Sequence, residues 1–383
     1  MSLLALPLLA FLSIFLTPAT AVSSSTLQLA RSHSVTPNAG APLSAWAASV
    51  AAQSAADTAR IVSMLTSGAG PLTTRAKPKP KNRANPPVPI APGRQILSIP
   101  NYIARAGLGT PAQTLLVAID PSNDAAWAVL GQDSLALENN VVVSYTFGCL
   151  RVVSGNSVPP QGLIGFGRGP LSFLSQTKDT YGSVFSYCLP NYRSSNFSGT
   201  LKLGPIGQPK RIKTTPLLYN PHRPSLYYVN MIGIRVGSKV VQVPQSALTF
   251  NPVTGSGTII DAGTMFTRLA APVYAAVRDA FRGRVRTPVA PPLGGFDTCY
   301  NVTVSVPTVT FMFAGAVAVT LPEENVMIHS SSGGVACLAM AAGPSDGVNA
   351  ALNVLASMQQ QNQRVLFDVA NGRVGFSREL CTA

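Results

Sequence analysis

The stretch "TIIDAGTMFTRL", residues 258–269, places an aspartate directly after an apolar, β-branched run. Asp261 follows two isoleucines, and Gly263 comes two residues later. An Asp-x-Gly sequence after a strand is common in turns, because aspartate bonds its own backbone and glycine accepts a positive φ. The other interpretation is a carboxylate held at a functional site. On its own, the window favours the turn.

The same pattern occurs a second time, in "LLVAIDPSND" at residues 115–124. Here the apolar run ends on Asp120, which lies 141 residues before Asp261. Two such units predict a duplicated lobe in which each half contributes one carboxylate. Two aspartates close together share one proton, so the ionised one can take a proton from water while the other donates to a peptide carbonyl. The repeat therefore predicts amide hydrolysis without a metal or a covalent intermediate.

The composition fits a chain of strands and turns with room for two lobes. The 383 residues are only 11% charged and include 32 glycines and 32 prolines. Short runs rich in Val, Ile, Thr, Tyr and Phe recur through residues 98–380, broken by Gly, Pro and Asn. One helix is predicted over residues 272–281, where Val273, Val277 and Phe281 share a face. No G-x-S-x-G sequence occurs, which removes the usual serine-hydrolase signal.

Several longer motifs occur in one order along the chain, from about Tyr102 to the C-terminus. They are "YTFGC" (145–149), "PPQGLIGFGRGPLSFLSQ" (159–176), "FSYCLP" (185–190), "SLYYVNMIGIRVG" (225–237) and "QQQNQRVLFDVANGRVGFS" (359–377). Together with the two aspartate stretches, they resemble plant pepsin-like aspartic proteases of the nepenthesin-like and xylanase-inhibitor-like group. The resemblance implies an all-β-dominated, bilobal fold with an N-terminal lobe at residues 98–215 and a C-terminal lobe at residues 216–383.

The same resemblance implies a secreted aspartic endopeptidase. Asp120 and Asp261 would share a proton and activate water, while Gly263 and Thr264 support Asp261 in its loop. The substrate would be a polypeptide bound in an extended form between the lobes. No cofactor and no metal are implied, and the enzyme is expected to be a monomer.

The N-terminal lobe departs from this family pattern in its length. In such a fold each catalytic loop is crossed by a later apolar strand of the same lobe. From Asp261 to Leu355 in the second lobe is 94 residues, whereas from Asp120 to Ile164 in the first is only 44. We therefore predict a shortened N-terminal lobe in which the flap hairpin, which closes over the substrate in similar proteases, is missing.

The catalytic loops depart from the pattern as well. Pro121 and Ala262 stand where similar proteases carry a hydroxyl that bonds across to the other loop, and Ser122 replaces a glycine. These changes favour an alternative function, namely a catalytically impaired or inactive homologue that acts as a protein-binding, inhibitor-like scaffold. Retention of both aspartates favours the enzyme.

Residues 1–21 are apolar and end in a small-residue sequence typical of a signal-peptide cleavage site. We predict a signal peptide, with a membrane anchor as the alternative, and no stable membrane association after its removal. The expected location is extracellular, in the apoplast, with a vacuole or plastid as other possibilities. Asn196 and Asn301 begin Asn-x-Ser/Thr sequences and are predicted glycosylation sites.

Residues 22–97 carry eight Lys/Arg and one Asp, which is half of the net charge of +14. Their Lys-Pro tract, at residues 75–94, cannot form a core and should be extended. We predict a basic propeptide that is largely disordered or lies on the acidic cleft of the enzyme. Nucleic-acid binding is the rival interpretation, but no aromatic residue for base stacking occurs within residues 75–94.

The five cysteines form no C-x-x-C pair, and the three histidines are widely separated, so no metal cluster is predicted. In an exported protein the cysteines are expected to form disulfides, but their spacing leaves the connectivity open. The resemblance implies two bridges and one free thiol. The bridges are Cys188–Cys381 and Cys299–Cys337, and the free thiol is Cys149.

Overall fold

Strands form most of the regular structure of the chain. The computed structural model describes residues 43–63, 86–97, 99–122, 129–149, 162–194, 196–330, 332–345 and 350–381. The predicted signal peptide and most of the Lys-Pro tract lie outside the described residues.

The strands of the described residues are short and are separated by turns. In chain order they are β1 (Val88–Pro92), β2 (Tyr102–Leu108), β3 (Gln113–Asp120), β4 (Val129–Leu137), β5 (Asn140–Cys149), β6 (Leu163–Gly165), β7 (Val184–Cys188), β8 (Gly199–Leu203), β9 (Lys213–Leu218), β10 (Tyr228–Val229), β11 (Met231–Val236), β12 (Lys239–Val240), β13 (Gly257–Ile260), β14 (Thr267–Leu269), β15 (Cys299–Tyr300), β16 (Val309–Phe313), β17 (Val317–Thr320), β18 (Met327–His329), β19 (Ala336–Leu338), β20 (Met340–Ala342), β21 (Leu352–Leu355), β22 (Gln363–Asp368) and β23 (Arg373–Arg378).

Helices are fewer, and most are a single turn. They are α1 (Leu43–Ser63), α2 (Gly93–Leu97), α3 (Phe173–Gln176), α4 (Lys178–Tyr181), α5 (Ala271–Val285) and α6 (Glu323–Val326), with 3₁₀ turns at Gln245–Ala247 and Ser357–Gln360. The helix predicted over residues 272–281 is confirmed by α5. Its Val273, Val277 and Phe281 are buried, as their spacing indicates.

Three sheets organise the described strands. The largest has sixteen strands, in the order β20-β14-β21-β13-β10-β9-β23-β22-β7-β8-β1-β2-β3-β6, with β4 paired to β2 and β5. A four-stranded sheet (β12-β11-β16-β17) and a three-stranded sheet (β15-β19-β18) complete the second half of the chain. Because β22 and β23 lie between β7 and β9, the C-terminal strands pair with strands of the first half.

The two aspartate-bearing strands have equivalent surroundings. β3 runs parallel to β6, with Asp120 opposite Gly165, and β13 runs parallel to β21, with Ile260 opposite Leu355. In each half, a strand that leads into an aspartate is therefore flanked by a later strand of the same half. This repeat is what the duplicated sequence pattern predicted.

An aromatic cluster lies where the two halves meet. Phe185 of β7 stacks on Phe367 of β22 with ring centroids 4.7 Å apart, and Tyr227 contacts Phe367 at 4.5 Å. All three rings are buried. Burial of aromatic side chains is the main source of hydrophobic stabilisation, so this junction resists separation of the two halves.

Residues 22–97 were predicted to be largely disordered or to lie on the acidic cleft, and two segments of that range are ordered. Residues 43–63 form α1, and Val88–Pro92 form β1, which pairs with β2 and β8. Val88 and Ile90 are fully buried. Their alternation is a strand pattern that the neighbouring prolines and lysines concealed. The sheet of the first half thus begins at Val88 and not at residue 98.

Two disulfides tie distant parts of the chain together. Cys188, at the end of β7, is joined to Cys381 beyond β23, and Cys299 of β15 is joined to Cys337 of β19. These are the pairs that the resemblance implied. The first bridge closes a loop of 193 residues, and a bridge of this kind contributes roughly 2–4 kcal/mol to the free energy of unfolding. The backbone of Cys149 ends β5, and its free thiol stays a prediction.

The predicted absence of a flap concerns the connection from β3 to β4. Eight residues, 121–128, join these strands, and 123–128 lie outside the described residues. The hairpin of β4 and β5 that follows is part of the large sheet, because β4 pairs with β2. Tyr145 of this hairpin is buried beside Phe173. Tyr145 is therefore a core residue and does not cover the aspartates. The missing flap stays a prediction.

Candidate active site

Asp261 lies in a loop that directs hydrogen-bond donors at both of its carboxylate oxygens. The Gly263 N–H donates to Oδ1 at 2.9 Å. Thr264 donates to Oδ2 through its backbone N–H at 3.0 Å and through its hydroxyl at 2.6 Å. The Asp261 side chain is fully buried. Three such bonds fix the orientation of the carboxylate and favour its charged form.

Asp120 lies in the equivalent loop of the first half, of which the structure describes only residues 121 and 122. The backbone N–H of Ser122 donates to Asp120 Oδ1 at 3.1 Å, and the Ser122 hydroxyl lies 3.2 Å from the same oxygen. Among the described residues, Asp120 Oδ2 has no hydrogen-bond partner although it is buried. The two carboxylates thus occupy equivalent positions in the two halves.

The two carboxylates face each other across a gap that one hydroxyl spans. Ser122 Oγ lies 2.9 Å from Asp261 Oδ1 and 3.2 Å from Asp120 Oδ1. The structure therefore brings together the two aspartates that the sequence pattern paired. Both carboxylates therefore lie within hydrogen-bond distance of one oxygen atom.

The backbone of each aspartate is held by the strand that crosses its loop. The N–H of Phe166, just beyond β6, donates to the Asp120 carbonyl at 2.7 Å, and the Asp261 N–H donates to the Leu355 carbonyl at 3.0 Å. The Gln360 side chain donates to the Asp261 carbonyl at 3.1 Å. The loops are thereby rigid platforms for the carboxylates.

Arg60, from α1, occupies the space in front of both carboxylates. Its Nε lies 3.3 Å from Asp261 Oδ2, and its Nη2 bonds both Asp120 Oδ1 and, at 2.7 Å, the Ser122 hydroxyl. Gly263 makes room for it, because a Cβ there would collide with the guanidinium and lie 2.9 Å from Asp120 Oδ1. A segment far from the dyad in sequence therefore closes it.

The charges at this point stabilise each other. Burial acts to raise the pKa of Asp261, but Arg60 and the bonds from Thr264 and Gly263 outweigh it and hold that pKa below its ordinary value. Burial acts to lower the pKa of Arg60, but Asp120 and Asp261 raise it above its ordinary value. Asp261 and Arg60 are therefore both ionised while α1 is bound.

A buried stripe fixes α1 along the second half of the chain. The stripe residues recur at helical spacing on one face and are Trp46, Val50, Ser54, Asp57 and Ile61. Trp46 and Val50 belong to an apolar cluster with Phe266 and Phe296, and Ile61 to another with Tyr228. Gly294 and Gly295 have positive φ, and a Cβ on either would lie within 3 Å of the Val50 or Ser54 side chain, so glycine permits this close approach.

Asp57 is a second polar anchor of α1. Its carboxylate accepts the backbone N–H groups of Met265 at 3.1 Å and Phe266 at 3.0 Å, immediately after the Asp261 loop. The Gln53 side chain also donates to it, and Arg268 lies nearby and bonds Ser54. Burial raises the pKa of Asp57 from 3.8 to about 6, although these partners act in the opposite direction.

We expect the binding of α1 to weaken as the pH rises through about 6. A carboxylate whose pKa is raised when buried contributes stability that is present below its ordinary pKa of 3.8 and is lost as the pH rises past the raised value. Between pH 5 and 7 the loss amounts to about tenfold in the equilibrium between bound and released α1. Trp46 fluorescence in a Trp127→Phe background reports this equilibrium, because Trp46 is then the only tryptophan.

The matched variant for this prediction is Asp57→Asn. Asparagine does not titrate, so the pH dependence between 5 and 7 should disappear. Its single carbonyl oxygen can accept one of the two backbone N–H groups well, so α1 should also bind more weakly at pH 5. An unchanged pH slope in the variant would show that another group titrates.

Arg60 and Asp57 were not identified from the sequence. The usable signal was the apolar spacing of Trp46, Val50 and Ile61, which predicts a helix with one buried face. Within that helix, Asp57 falls on the buried face and Arg60 lies next to it, and charged residues at such positions indicate polar contacts with the rest of the protein. The Lys-Pro tract carries most of the positive charge of residues 22–97, so the charge pattern indicated residues 75–94 and not Arg60.

The remaining predicted sites lie away from the dyad. Asn196 and Asn301 are exposed, as acceptors of glycans must be.

In the described ranges no three His, Cys, Asp or Glu side chains form a group that could hold a metal. Nor does any described helix combine the length and apolar character needed to cross a lipid bilayer.

Comparison with known proteins identifies relatives over most of the chain. Family models described as "Xylanase inhibitor N-terminal" and "Xylanase inhibitor C-terminal" match residues 125–205 and 226–378. Aspartyl protease AED3 of Arabidopsis thaliana is 43% identical, over 80% of this chain and 81% of that protein. Aspartyl protease 25 of Oryza sativa subsp. japonica is 41% identical, over 76% and 84% respectively. Asp261 lies within a matched range, whereas Asp120 precedes the first.

Solved structures share the fold at low sequence identity. The crystal structure of edgp superimposes with a TM-score of 0.66 at 19% identity, over 77% of this chain and 95% of that one. The aspartic proteinase from Irpex lacteus superimposes with a TM-score of 0.60 at 15% identity, over 77% and 97%. The predicted all-β-dominated, bilobal, pepsin-like fold class is thereby confirmed.

Proposed function

Because the chain belongs to the plant pepsin-like aspartyl protease family of the xylanase-inhibitor-like type, we propose that it is a secreted aspartic endopeptidase made as an inactive precursor. The observation that carries the proposal is the meeting of Asp120 and Asp261 at one point, covered by Arg60. The substrates of this family are polypeptides. In the precursor, α1 fills the place where a polypeptide would reach the dyad.

Hydrolysis begins once α1 leaves. Asp261, whose charged form is favoured by three hydrogen-bond donors, acts as the base, and Asp120 acts as the acid of the pair. The Asp261 carboxylate takes a proton from water as the water oxygen attacks the peptide carbonyl carbon. Asp120 gives its proton to the carbonyl oxygen. Transfer of the proton from Asp261 to the amide nitrogen then breaks the C–N bond, while one hydroxyl of the tetrahedral intermediate returns its proton to Asp120. The products are an amine and an acid, and the aspartate pair regains its starting state.

Export is part of the proposal. It is supported by the apolar stretch at residues 1–21 and by two disulfides, which persist in oxidising compartments. The proposed location is the extracellular space. Residues 22–85, which include α1, are then the segment removed on activation, and β1 at Val88–Pro92 stays with the mature enzyme because it pairs with β2 and β8.

The test is hydrolysis by the chain after α1 is freed. A site-specific protease sequence is inserted after Lys81, and the chain is folded intact and then cut, so that the lobes never have to fold without α1. Once α1 has been removed from the cut chain at pH 7, where the Asp57 contact is weaker, the chain should cleave denatured casein at acid pH and lose this activity with pepstatin, a peptide inhibitor that binds an aspartic dyad. Cut protein that has released α1, as Trp46 fluorescence shows, yet neither cleaves casein nor binds pepstatin would contradict the proposal.

A second candidate is a protein-binding scaffold without catalysis. It is favoured by Pro121 and Ala262, which bring no hydroxyl between the loops, and by the match to xylanase inhibitor models. In that case the cleft that holds α1 would hold a helix of a partner protein. Retention of Asp120 and Asp261 in a shared site favours the protease, and the casein assay separates the two functions.

A further inference from the structure

The Ser122 hydroxyl has an unusual position for a side chain in a carboxylate pair. It lies within hydrogen-bond distance of Oδ1 of both aspartates, at 3.2 Å from Asp120 and 2.9 Å from Asp261. It also accepts a bond from Arg60 Nη2 at 2.7 Å. The hydroxyl is thus enclosed by the two carboxyl groups and the Arg60 guanidinium.

The equivalent position in the second half holds a glycine. Ser122 and Gly263 each follow an aspartate by two residues, and the backbone N–H of each donates to Oδ1 of that aspartate, at 3.1 Å and 2.9 Å. On the Gly263 side, the space that a side chain would take is used by Arg60. On the Ser122 side, the side chain itself points between the carboxylates. The two loops therefore differ at this position because the first carries Ser122 where the second carries Gly263.

An attacking water must contact both carboxylates, because one removes its proton and the other protonates the carbonyl it attacks. A hydroxyl bonded to Oδ1 of both aspartates fills the volume that such a water needs. We propose that Ser122 controls access to the dyad: its hydroxyl takes the place of the attacking water and must turn away before hydrolysis can proceed. This inference rests on the proposed protease function and concerns the same site.

The free energy needed to rotate the Ser122 side chain away from the carboxylates determines how far kcat is reduced. Rotation about the Cα–Cβ bond removes Oγ from both carboxyl groups, of which Asp261 is charged, and hydrogen bonds to charged groups are the stronger ones in proteins. We expect a reduction of kcat on the order of tenfold to a hundredfold. KM should change little, because the hydroxyl does not take part in holding the substrate's side chains.

The test compares Ser122→Ala and Ser122→Gly with the unmodified chain, each folded intact and cut after Lys81. Alanine removes the hydroxyl and keeps Cβ, whereas glycine also frees the backbone. Both variants should raise kcat by a similar factor at nearly constant KM. Pepstatin affinity should rise in parallel, because a hydroxyl of this inhibitor seeks the same place between the carboxylates. Ser238→Ala, an exposed serine, is the control and should change neither quantity.

The outcomes separate this inference from the function on which it rests. If the unmodified chain hydrolyses casein and the two variants do so no faster, Ser122 does not control access and the inference is overturned while the protease function stands. A rise in Ser122→Gly alone would assign the effect to the backbone and would also overturn it. If all three cut proteins neither hydrolyse casein nor bind pepstatin, the protease function fails and the inference fails with it.

Discussion

Replacement of Asp261 by asparagine is expected to lower kcat of the cut chain by roughly 10²–10⁴-fold, the range that a positioned general base or acid contributes. The amide nearly matches the carboxylate in shape, and its one carbonyl oxygen can still accept from either Thr264 or Gly263, so the loop should keep most of its form. It cannot take a proton from water. Steady-state hydrolysis of casein, with thermal unfolding measured alongside, tests this expectation.

Asp120→Asn should be equally harmful, because the two carboxylates act as one unit. For the same reason the double variant should be about as slow as either single variant, since residues that act together are far from additive. Asp279→Asn is the matched control, an exposed aspartate in α5, and should keep full activity. An Asp261→Asn variant with more than about a tenth of the original kcat would show that the dyad is not the catalytic group.

The meeting of the aspartates could be predicted because it depends on a short local pattern used twice. An apolar run that ends on Asp120 or Asp261 specifies a buried strand and its exit, and the repetition specifies an approximate two-fold relation. The disulfide partners, by contrast, followed only from family resemblance, since spacing alone leaves the pairing of five cysteines open.

The closure of the dyad could not be predicted in the same way. It depends on where α1 packs on the second half of the chain, and most of the stability of a helix in a protein comes from such packing of one face. The contact between Arg60 and the carboxylates spans 60 residues on one side and 201 on the other. A local pattern cannot specify such a contact. The sequence shows that Ser122 departs from the family pattern, but its position between the carboxylates depends on how the two halves pack together.

Replacement of Arg60 by alanine in the uncut chain is expected to weaken the binding of α1 by about 3–5 kcal/mol, because it leaves two buried carboxylates without their countercharge. Both carboxylates are fully buried, while the Arg60 side chain is 19% exposed. Protection of the α1 amides against hydrogen exchange should fall more than a hundredfold. Trp46 fluorescence should show a released helix.

The loss of α1 binding in the Arg60→Ala variant should depend on pH, because Arg60 pairs with the carboxylate of Asp261. With Arg60 present, the pKa of Asp261 lies below its ordinary value of 3.8. Stability from such a group is present above the ordinary pKa and is lost as the pH falls through the lowered one. The difference between the Arg60→Ala variant and the unmodified chain should therefore be largest above about pH 5 and shrink below pH 4, where the dyad can take up protons itself.

Two variants separate the Arg60 contact from a general effect of removing charge. Arg278→Ala removes an arginine that pairs with exposed Asp279 and half-exposed Asp297, and such surface pairs contribute less than about 1 kcal/mol. Arg60→Lys keeps the charge but cannot bond two carboxylates and a hydroxyl with one planar group, so it should lie between alanine and the unmodified chain. If Arg60→Ala leaves hydrogen exchange in α1 unchanged, the apolar stripe and Asp57 suffice to hold the helix. In that case Arg60 only neutralises the dyad, and activation must begin with cleavage of the chain and not with loss of this ion pair.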